Sequence, residues 1–215
     1  MKIDFVSDVS CPWCVIGLKA LEQALEKMPE LTVALEFQPF ELNPQMGADG
    51  EDIGEHLARK YGASPQQSAA ARENIRQRGA QLGFVFDMNA RGRIYNTFDA
   101  HRLLHWAHLQ SPVLQRALKL ALFSAYFTDG RDPSDHAVLL DAAGEVGLDV
   151  AAARQLLASD AYAAEVREAE QHYRGLGIDS VPAIIINNKH LIQGGQPPEV
   201  FEQALRRIAG ETAQA

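Results

Sequence analysis

Both cysteines of the chain, Cys11 and Cys14, lie in the ten residues Asp8-Val-Ser-Cys-Pro-Trp-Cys-Val-Ile-Gly17, separated only by Pro12 and Trp13. A bridge between residues so close in sequence closes too small a loop to staple a chain of 215 residues, so the pair must act locally. Its flanks define its setting. Lys2 to Ser7 carries Ile3, Phe5 and Val6 and reads as a short buried strand. Past the cysteines, Val15, Ile16, Leu18, Leu21, Leu25 and Met28 recur at helical spacing as far as Pro29. Residues 31–37, rich in β-branched and aromatic side chains, read as a second strand stopped by Pro39. The CxxC therefore opens the helix of a βαβ unit whose strands run parallel.

A cysteine in the first turn of a helix meets unpaired backbone N–H groups and the positive end of the helix dipole, both of which stabilise a thiolate. Cys11 is that residue, so it is expected to attack substrates. Cys14, one turn further on and shielded by the helix, is expected to resolve the mixed disulfide. Pro12 suits the first helical position, where its missing N–H costs nothing. The competing use of a CxxC is zinc. A structural zinc site usually needs a second such pair or two suitably spaced histidines, and no second pair exists. Seven histidines leave a Cys2His2 set open, the βαβ placement speaks against it, and no metal is expected.

The rest of the chain changes character twice. From about Glu51 to Tyr173 the sequence is rich in Ala, Leu, Gln and Arg with helical periodicity. It breaks at residues 62–65, 83–92, 111–112, 129–133 and 147–149, and Phe84-Val-Phe86 is the longest strand-like pattern. β character returns after Val181-Pro182 with Ala183-Ile-Ile-Ile-Asn187, a turn at Asn187-Asn188-Lys189, and His190-Leu-Ile-Gln193, a β-hairpin. A last helix follows Pro197-Pro198 through Val200, Phe201, Leu205 and Ile208. The expected organisation is α/β. Residues 1–45 and 175–215 form one βαβ…ββα unit, and residues 46–174 form an inserted helical domain.

A formal net charge of -8 argues against nucleic acid as a partner, because phosphate binding needs a basic field. No apolar run approaches the ~18 residues that span a bilayer. The first eight residues are too short and too acidic for a secretory signal, so a cytoplasmic location is expected. Nothing in the residues sets the oligomeric state.

The arrangement resembles the thioredoxin fold and, within it, the DsbA family, more closely its FrnE-like branch of cytoplasmic relatives. The residues that carry the resemblance are Asp8-Val-Ser-Cys-Pro-Trp-Cys-Val-Ile-Gly17, Phe40-Glu-Leu-Asn-Pro44, Asn96-Thr-Phe-Asp-Ala-His-Arg102, Val181-Pro182 and Gly194-Gly-Gln-Pro197. The resemblance implies a thioredoxin-like fold with a helical insertion. It also implies a cis proline at Pro182 facing the CxxC, and a Val181 whose backbone offers a short edge to a substrate. With Pro12 and Trp13 it places Asn43, Asn96 and His101 near the substrate cleft. The activity implied is thiol-disulfide exchange on a protein disulfide or a small thiol. No resident cofactor is required, and glutathione is a candidate co-substrate. Pro-Trp between the cysteines lacks the histidine of the best-known DsbA, so reduction or isomerisation is expected over strong oxidation. Related 2-hydroxychromene-2-carboxylate isomerases and kappa-class glutathione transferases supply one alternative, which needs no second cysteine. A non-catalytic chaperone or polyketide-assembly accessory is another.

Other residues have simpler readings. His101, His105 and His108 share one helical face, expected to be an ordinary polar face apart from His101. Asn96 is expected to cap its helix with Thr97 at the first helical position. Asp4, Asp8 and Glu36 are the candidate proton acceptors for Cys14, though as strand-end acids they are expected to be solvated. Arg72, Arg76 and Arg78 read as a solvated helix face.

Overall fold

A computed structural model describes residues 1–212. In chain order the elements are β1 (Lys2–Ser7), α1 (Pro12–Glu26), β2 (Ala34–Pro39), β3 (Glu51–Asp52), α2 (Ile53–Tyr61), α3 (Pro65–Gln81), β4 (Arg93–Ile94) and α4 (Phe98–Gln110). They continue with α5 (Pro112–Phe127), α6 (His136–Glu145), α7 (Val150–Leu157), α8 (Ala163–Gly175), β5 (Ala183–Ile186), β6 (His190–Gln193) and α9 (Pro198–Thr212). The main sheet has the order β2-β1-β5-β6. β1 is parallel to β2 and antiparallel to β5, with Phe5 opposite both Phe37 and Ile184. This brings the two ends of the sequence into one sheet, with the helices of the insertion leaving from β2 and returning to β5.

The core explains the strand and helix patterns. Ile3 and Phe5 of β1, Leu18 and Leu21 of α1, Ile184 and Ile186 of β5, and Phe201 and Leu205 of α9 are all fully buried in one cluster. At about 1.5–3 kcal/mol for each such side chain removed from water, this cluster outweighs local propensity in fixing the unit. A second cluster inside the insertion gathers Leu103, Leu118, Leu122, Leu139 and Leu156, and Val9 from the loop before α1 packs into it. Val9 therefore ties the position of the CxxC loop to the helices above it.

The second strand lies later than residues 31–37. Its ladder begins where the Ala34 amide donates to the Met1 carbonyl (2.9 Å), and it runs through Pro39, which sits opposite Ser7. Because β2 is an edge strand, the missing N–H of Pro39 leaves no partner wanting. Gln115 of α5 lies along that edge: its Oε1 accepts the Phe37 amide (3.1 Å) and its Nε2 donates to the Phe37 carbonyl (2.9 Å).

The insertion is not purely helical. β3 and β4 form a separate two-stranded ribbon, Glu51 opposite Ile94 and Asp52 opposite Arg93. Residues 84–86 are not a strand but a loop pinned by two buried rings, Phe84 and Phe86, whose centroids are 4.8 Å apart. Gly79 of α3 permits that approach, since a Cβ there would lie 2.3 Å from the Phe86 ring. Helix starts fall at the expected breaks, among them a capping box of Ser64 and Gln67 before α3 and Asp149 before α7. The break between α7 and α8, where Tyr162 takes a left-handed φ of 61°, carries no Gly or Pro and is not visible in the sequence.

Candidate active site

Cys11 is the N-cap of α1, with Pro12 at the first helical position. Its own side chain makes no cap hydrogen bond, which leaves the sulfur at the open, positive end of the helix. The loop before it is held by backbone turns: the Cys11 amide donates to the Asp8 carbonyl (3.3 Å) and the Cys14 amide to the Cys11 carbonyl (3.1 Å). Both cysteines are free thiols, and both are buried: Cys11 is 3% exposed and Cys14 fully enclosed. Burial, with the Cys11 sulfur beside it, pushes the Cys14 thiol well up, so Cys14 keeps its proton at neutral pH.

The other wall of the site comes from the far end of the chain. The Val181–Pro182 peptide is cis, and the Cys11 thiol donates to the Val181 carbonyl at 3.5 Å. Pro182 also faces α1 one turn beyond the cysteines, where a Cβ on Gly17 would come within 3.0 Å of its ring. A cleft of about 490 Å³ opens here, lined by Trp13, Arg78, Val181, Pro182, Gly195 and their neighbours. Arg78 of α3 lays its guanidinium 5.4 Å from the centre of the Trp13 ring and donates to the Gly195 carbonyl (3.1 Å). One arginine of the insertion thus joins the CxxC dipeptide to the loop after β6.

Behind the cysteines lies a buried polar group. Asp8 is 1% exposed, and its carboxylate accepts the amides of Leu42 (2.7 Å) and Ser10 (3.1 Å). His101 Nε2 stands 3.6 Å from Asp8 Oδ1. Burial alone would raise the Asp8 carboxyl, but His101 and the two amides outweigh it and hold the group below its ordinary value. Lys119 of α5 is 1% exposed; burial pushes its ammonium down to about 8, against the opposing pull of Cys14, Asp8 and Cys11.

Residues 2–206 match the DSBA-like thioredoxin domain family. The chain belongs to that family. The "probable DsbA oxidoreductase" of Streptomyces coelicolor is 35% identical, with a TM-score of 0.91 covering 98% of this chain and 91% of that one. The uncharacterized protein YwbO of Bacillus subtilis is 27% identical over 207 residues, 95% of this chain and 96% of its own length. The cytosolic disulfide reductase DsbM of Pseudomonas aeruginosa, solved with glutathione, shares the fold at 16% identity, with a TM-score of 0.66 over 97% of this chain and 99% of that one.

This DSBA-like chain gathers some of the residues singled out from its sequence and separates others. Trp13, Val181 and Pro182 line the cleft together, and Pro12 lies at the helix start beside it. Asn43 does not join them: its Oδ1 accepts the Lys60 ammonium (2.7 Å), and it lines another cavity with His56, Arg59 and Lys60. Asn96 is one residue short of the cap position, which Thr97 takes. Its Oδ1 still accepts the Phe98 amide (2.8 Å), and its Nδ2 reaches Glu41 and Met46 at 3.4 Å. His101 sits buried behind the cysteines rather than in the cleft, and the half-buried His105 and His108 line one cavity with it. Asp4 and Asp8 are buried, not solvated; Asp4 is held by Lys2 (3.2 Å) and Gln38 (2.8 Å). Of the three arginines only Arg76 is the surface residue expected, paired with Glu73; Arg72 donates to the Met88 carbonyl and Arg78 lines the cleft. Arg78 and Lys119 are the two site residues the sequence reading missed. Arg78 reads with Arg72 and Arg76 as a surface arginine and Lys119 as an ordinary helix residue, so only the docking of the insertion reveals either.

Among the described residues no three His, Cys, Asp or Glu side chains are grouped to hold a metal ion, and no helix is long and apolar enough to cross a membrane.

Proposed function

We propose that the chain is a thiol-disulfide oxidoreductase working through Cys11 and Cys14 in the direction of disulfide reduction or isomerisation. Its substrate would be a protein disulfide or a small disulfide, with glutathione as co-substrate and no resident cofactor. The observation that carries this reading is the place of Cys11: at the open end of α1, 3.5 Å from the carbonyl of the cis-proline loop, with Cys14 one turn behind it and enclosed. A cytoplasmic location and membership of the FrnE-like branch belong to the same proposal, and the cytosolic DsbM neighbour supports the location.

The chemistry balances as two exchanges. The Cys11 thiolate attacks one sulfur of the substrate disulfide, whose S–S bond breaks, and the departing sulfur takes a proton. Cys14 then gives up its own proton and attacks the Cys11 sulfur. The mixed disulfide breaks, the second substrate thiol leaves, and the protein is oxidised to the Cys11–Cys14 disulfide. Two thiols of glutathione return it to the dithiol and become glutathione disulfide. Because burial raises the Cys14 thiol, the second exchange must wait for Cys14 to lose its proton. The cleft suits this use: Val181 lines it and its backbone would offer an edge to an extended chain, and Trp13 under Arg78 gives it an apolar floor. A glutathione-dependent isomerase needs only the thiol at position 11, so the second sulfur one turn away favours the redox pair.

The deciding experiment is the equilibrium of the pair in graded glutathione buffers, read as the mass added by a thiol alkylating agent. A potential near about -270 mV fits a reductase or isomerase, and one near about -120 mV a dedicated oxidant. Failure to form an intramolecular disulfide overturns the redox reading. Full cellular activity of a Cys11→Ser protein would point to the non-catalytic role instead.

A further inference from the structure

A cavity of about 160 Å³ lies between the end of β2 and helices α4, α5 and α8, and His101, which lines it, also reaches Asp8 of the loop before α1. Its polar lining is basic or neutral. His101, His105 and His108 enter from α4, Lys119 and Gln115 from α5, and Gln38 from β2, and no carboxylate lines it. Phe37, Pro39, Leu104 and Ala169 supply an apolar wall. Gln115 is fully used by its two bonds to Phe37.

The cations are the unusual feature. The Lys119 side chain is almost completely buried, its ammonium lies 5.2 Å from the centre of the Phe123 ring, and no carboxylate is in ion-pair contact with it among the described residues. A buried charge is costly unless something neutralises it or pairs with it, and the Asp8 carboxylate favours this one only from beyond ion-pair distance. With its ammonium at about 8, Lys119 still carries its proton at neutral pH. His108 Nδ1 is a buried ring nitrogen without a hydrogen-bond partner among the described residues, whereas His101 Nε2 is turned to Asp8 Oδ1 at 3.6 Å. A space walled by a buried lysine, three imidazoles and one greasy side is complementary to a small anion carrying a short apolar stem. It is too large for a single halide: at roughly 30 Å³ per water-sized group it holds about five non-hydrogen atoms.

We propose that this cavity binds a short-chain carboxylate, its carboxylate group on Lys119 and His108 and its stem against Phe37, Leu104 and Ala169. The site is separate from the Trp13–Pro182 cleft, with which it shares no lining residue. It does not depend on the redox reading.

The test is calorimetric titration of the full chain at pH 7 with propionate, with propionamide as the uncharged control of the same shape. Saturable one-to-one binding of propionate and none of propionamide is expected. Lys119→Met should weaken propionate at least about tenfold, the loss of one charge-assisted contact. Ala169→Leu keeps the cation and fills the space, so it should abolish binding even if the lysine variant does not fold. Propionate binding is read with no disulfide substrate present, so a failed redox assay leaves the site testable. The absence of saturable propionate binding, an equal response to propionamide, or unchanged binding in Ala169→Leu would overturn the proposal.

Discussion

The guanidinium of Arg78 lies 5.4 Å from the centre of the Trp13 ring and donates to the Gly195 carbonyl, so an insertion helix holds the middle of the CxxC against the loop after the hairpin. Arg78→Ala should raise KM for a disulfide substrate roughly threefold to tenfold, the worth of a stacked cation and one hydrogen bond. The rate of the chemical step should change far less. Arg78→Lys should not restore the value, because an ammonium does not stack as a planar guanidinium does. Steady-state kinetics on one peptide disulfide separate these outcomes; an unchanged KM in Arg78→Ala would remove this residue from the cleft's account.

Gly195 leaves little room for a side chain. A Cβ there would lie 3.0 Å from the Trp13 carbonyl and 3.1 Å from Ile16 Cγ2, one contact being backbone that cannot swing aside. Gly195→Ala should therefore lower stability by about 1–3 kcal/mol, the usual cost of overpacking, and slow disulfide exchange as Trp13 shifts. Urea unfolding and an exchange assay on the same preparation check both effects.

Asp8 gives the chain a dependence on pH. Its carboxyl is held below the ordinary carboxylate value, so the stability it contributes is complete above that value and is lost as pH falls through the lowered one. Asp8→Asn should cost about 1–3 kcal/mol at pH 7, because an amide cannot serve both the Leu42 and Ser10 amides with equal strength. The gap between the two proteins should narrow in strongly acidic buffer. Denaturant titrations at neutral and acid pH measure it, and a gap that widens on acidification would contradict the assignment.

Cys14 should be the slow thiol. With its proton held by burial and by the neighbouring sulfur, it should react with iodoacetamide far less than Cys11 at pH 7. Peptide mapping after brief labelling reads the ratio, and faster labelling of Cys14 would reverse the roles given to the two sulfurs.

Arg102 offers a contrast away from the chemistry. It is 4% exposed and donates to the carbonyls of Ala161 (2.9 Å), Leu156 (2.8 Å) and Ser159 and to Asp99 Oδ1 (2.8 Å), closing the break between α7 and α8. Arg102→Leu leaves those carbonyls without their donor and should cost about 2–4 kcal/mol in urea unfolding. The glutathione equilibrium of the cysteine pair should stay where it was.

What the sequence made legible follows from how local each signal is. The CxxC at a helix start, the parallel pairing of its flanking strands and the C-terminal hairpin are written in neighbouring residues, and each stands in the structure. The second strand shifted because its limits are set by pairing with Lys2 and Ser7, not by its own composition. The two-residue ribbon of β3 and β4 was invisible, since Glu-Asp and Arg-Ile carry no strand pattern. Burial of Asp8, and the turning inward of His101, His105 and His108, depend on where the insertion docks; a polar residue on a helix face looks the same whether that face meets water or a cavity. Lys119 is the extreme case, a lone lysine in an apolar helix that reads as a surface residue until its neighbours in space are known.

The pair of bonds between Gln115 and Phe37 has a consequence beyond this chain's own core. β2 is one of the two outer strands of the sheet, and outer strands tend to recruit a strand from another molecule. The side-chain amide of Gln115 acts there as a one-residue counterfeit strand, filling both the donor and the acceptor position that an intruder would need at Phe37. The insertion thereby guards the sheet's flank against strand exchange between copies as well as roofing the redox centre.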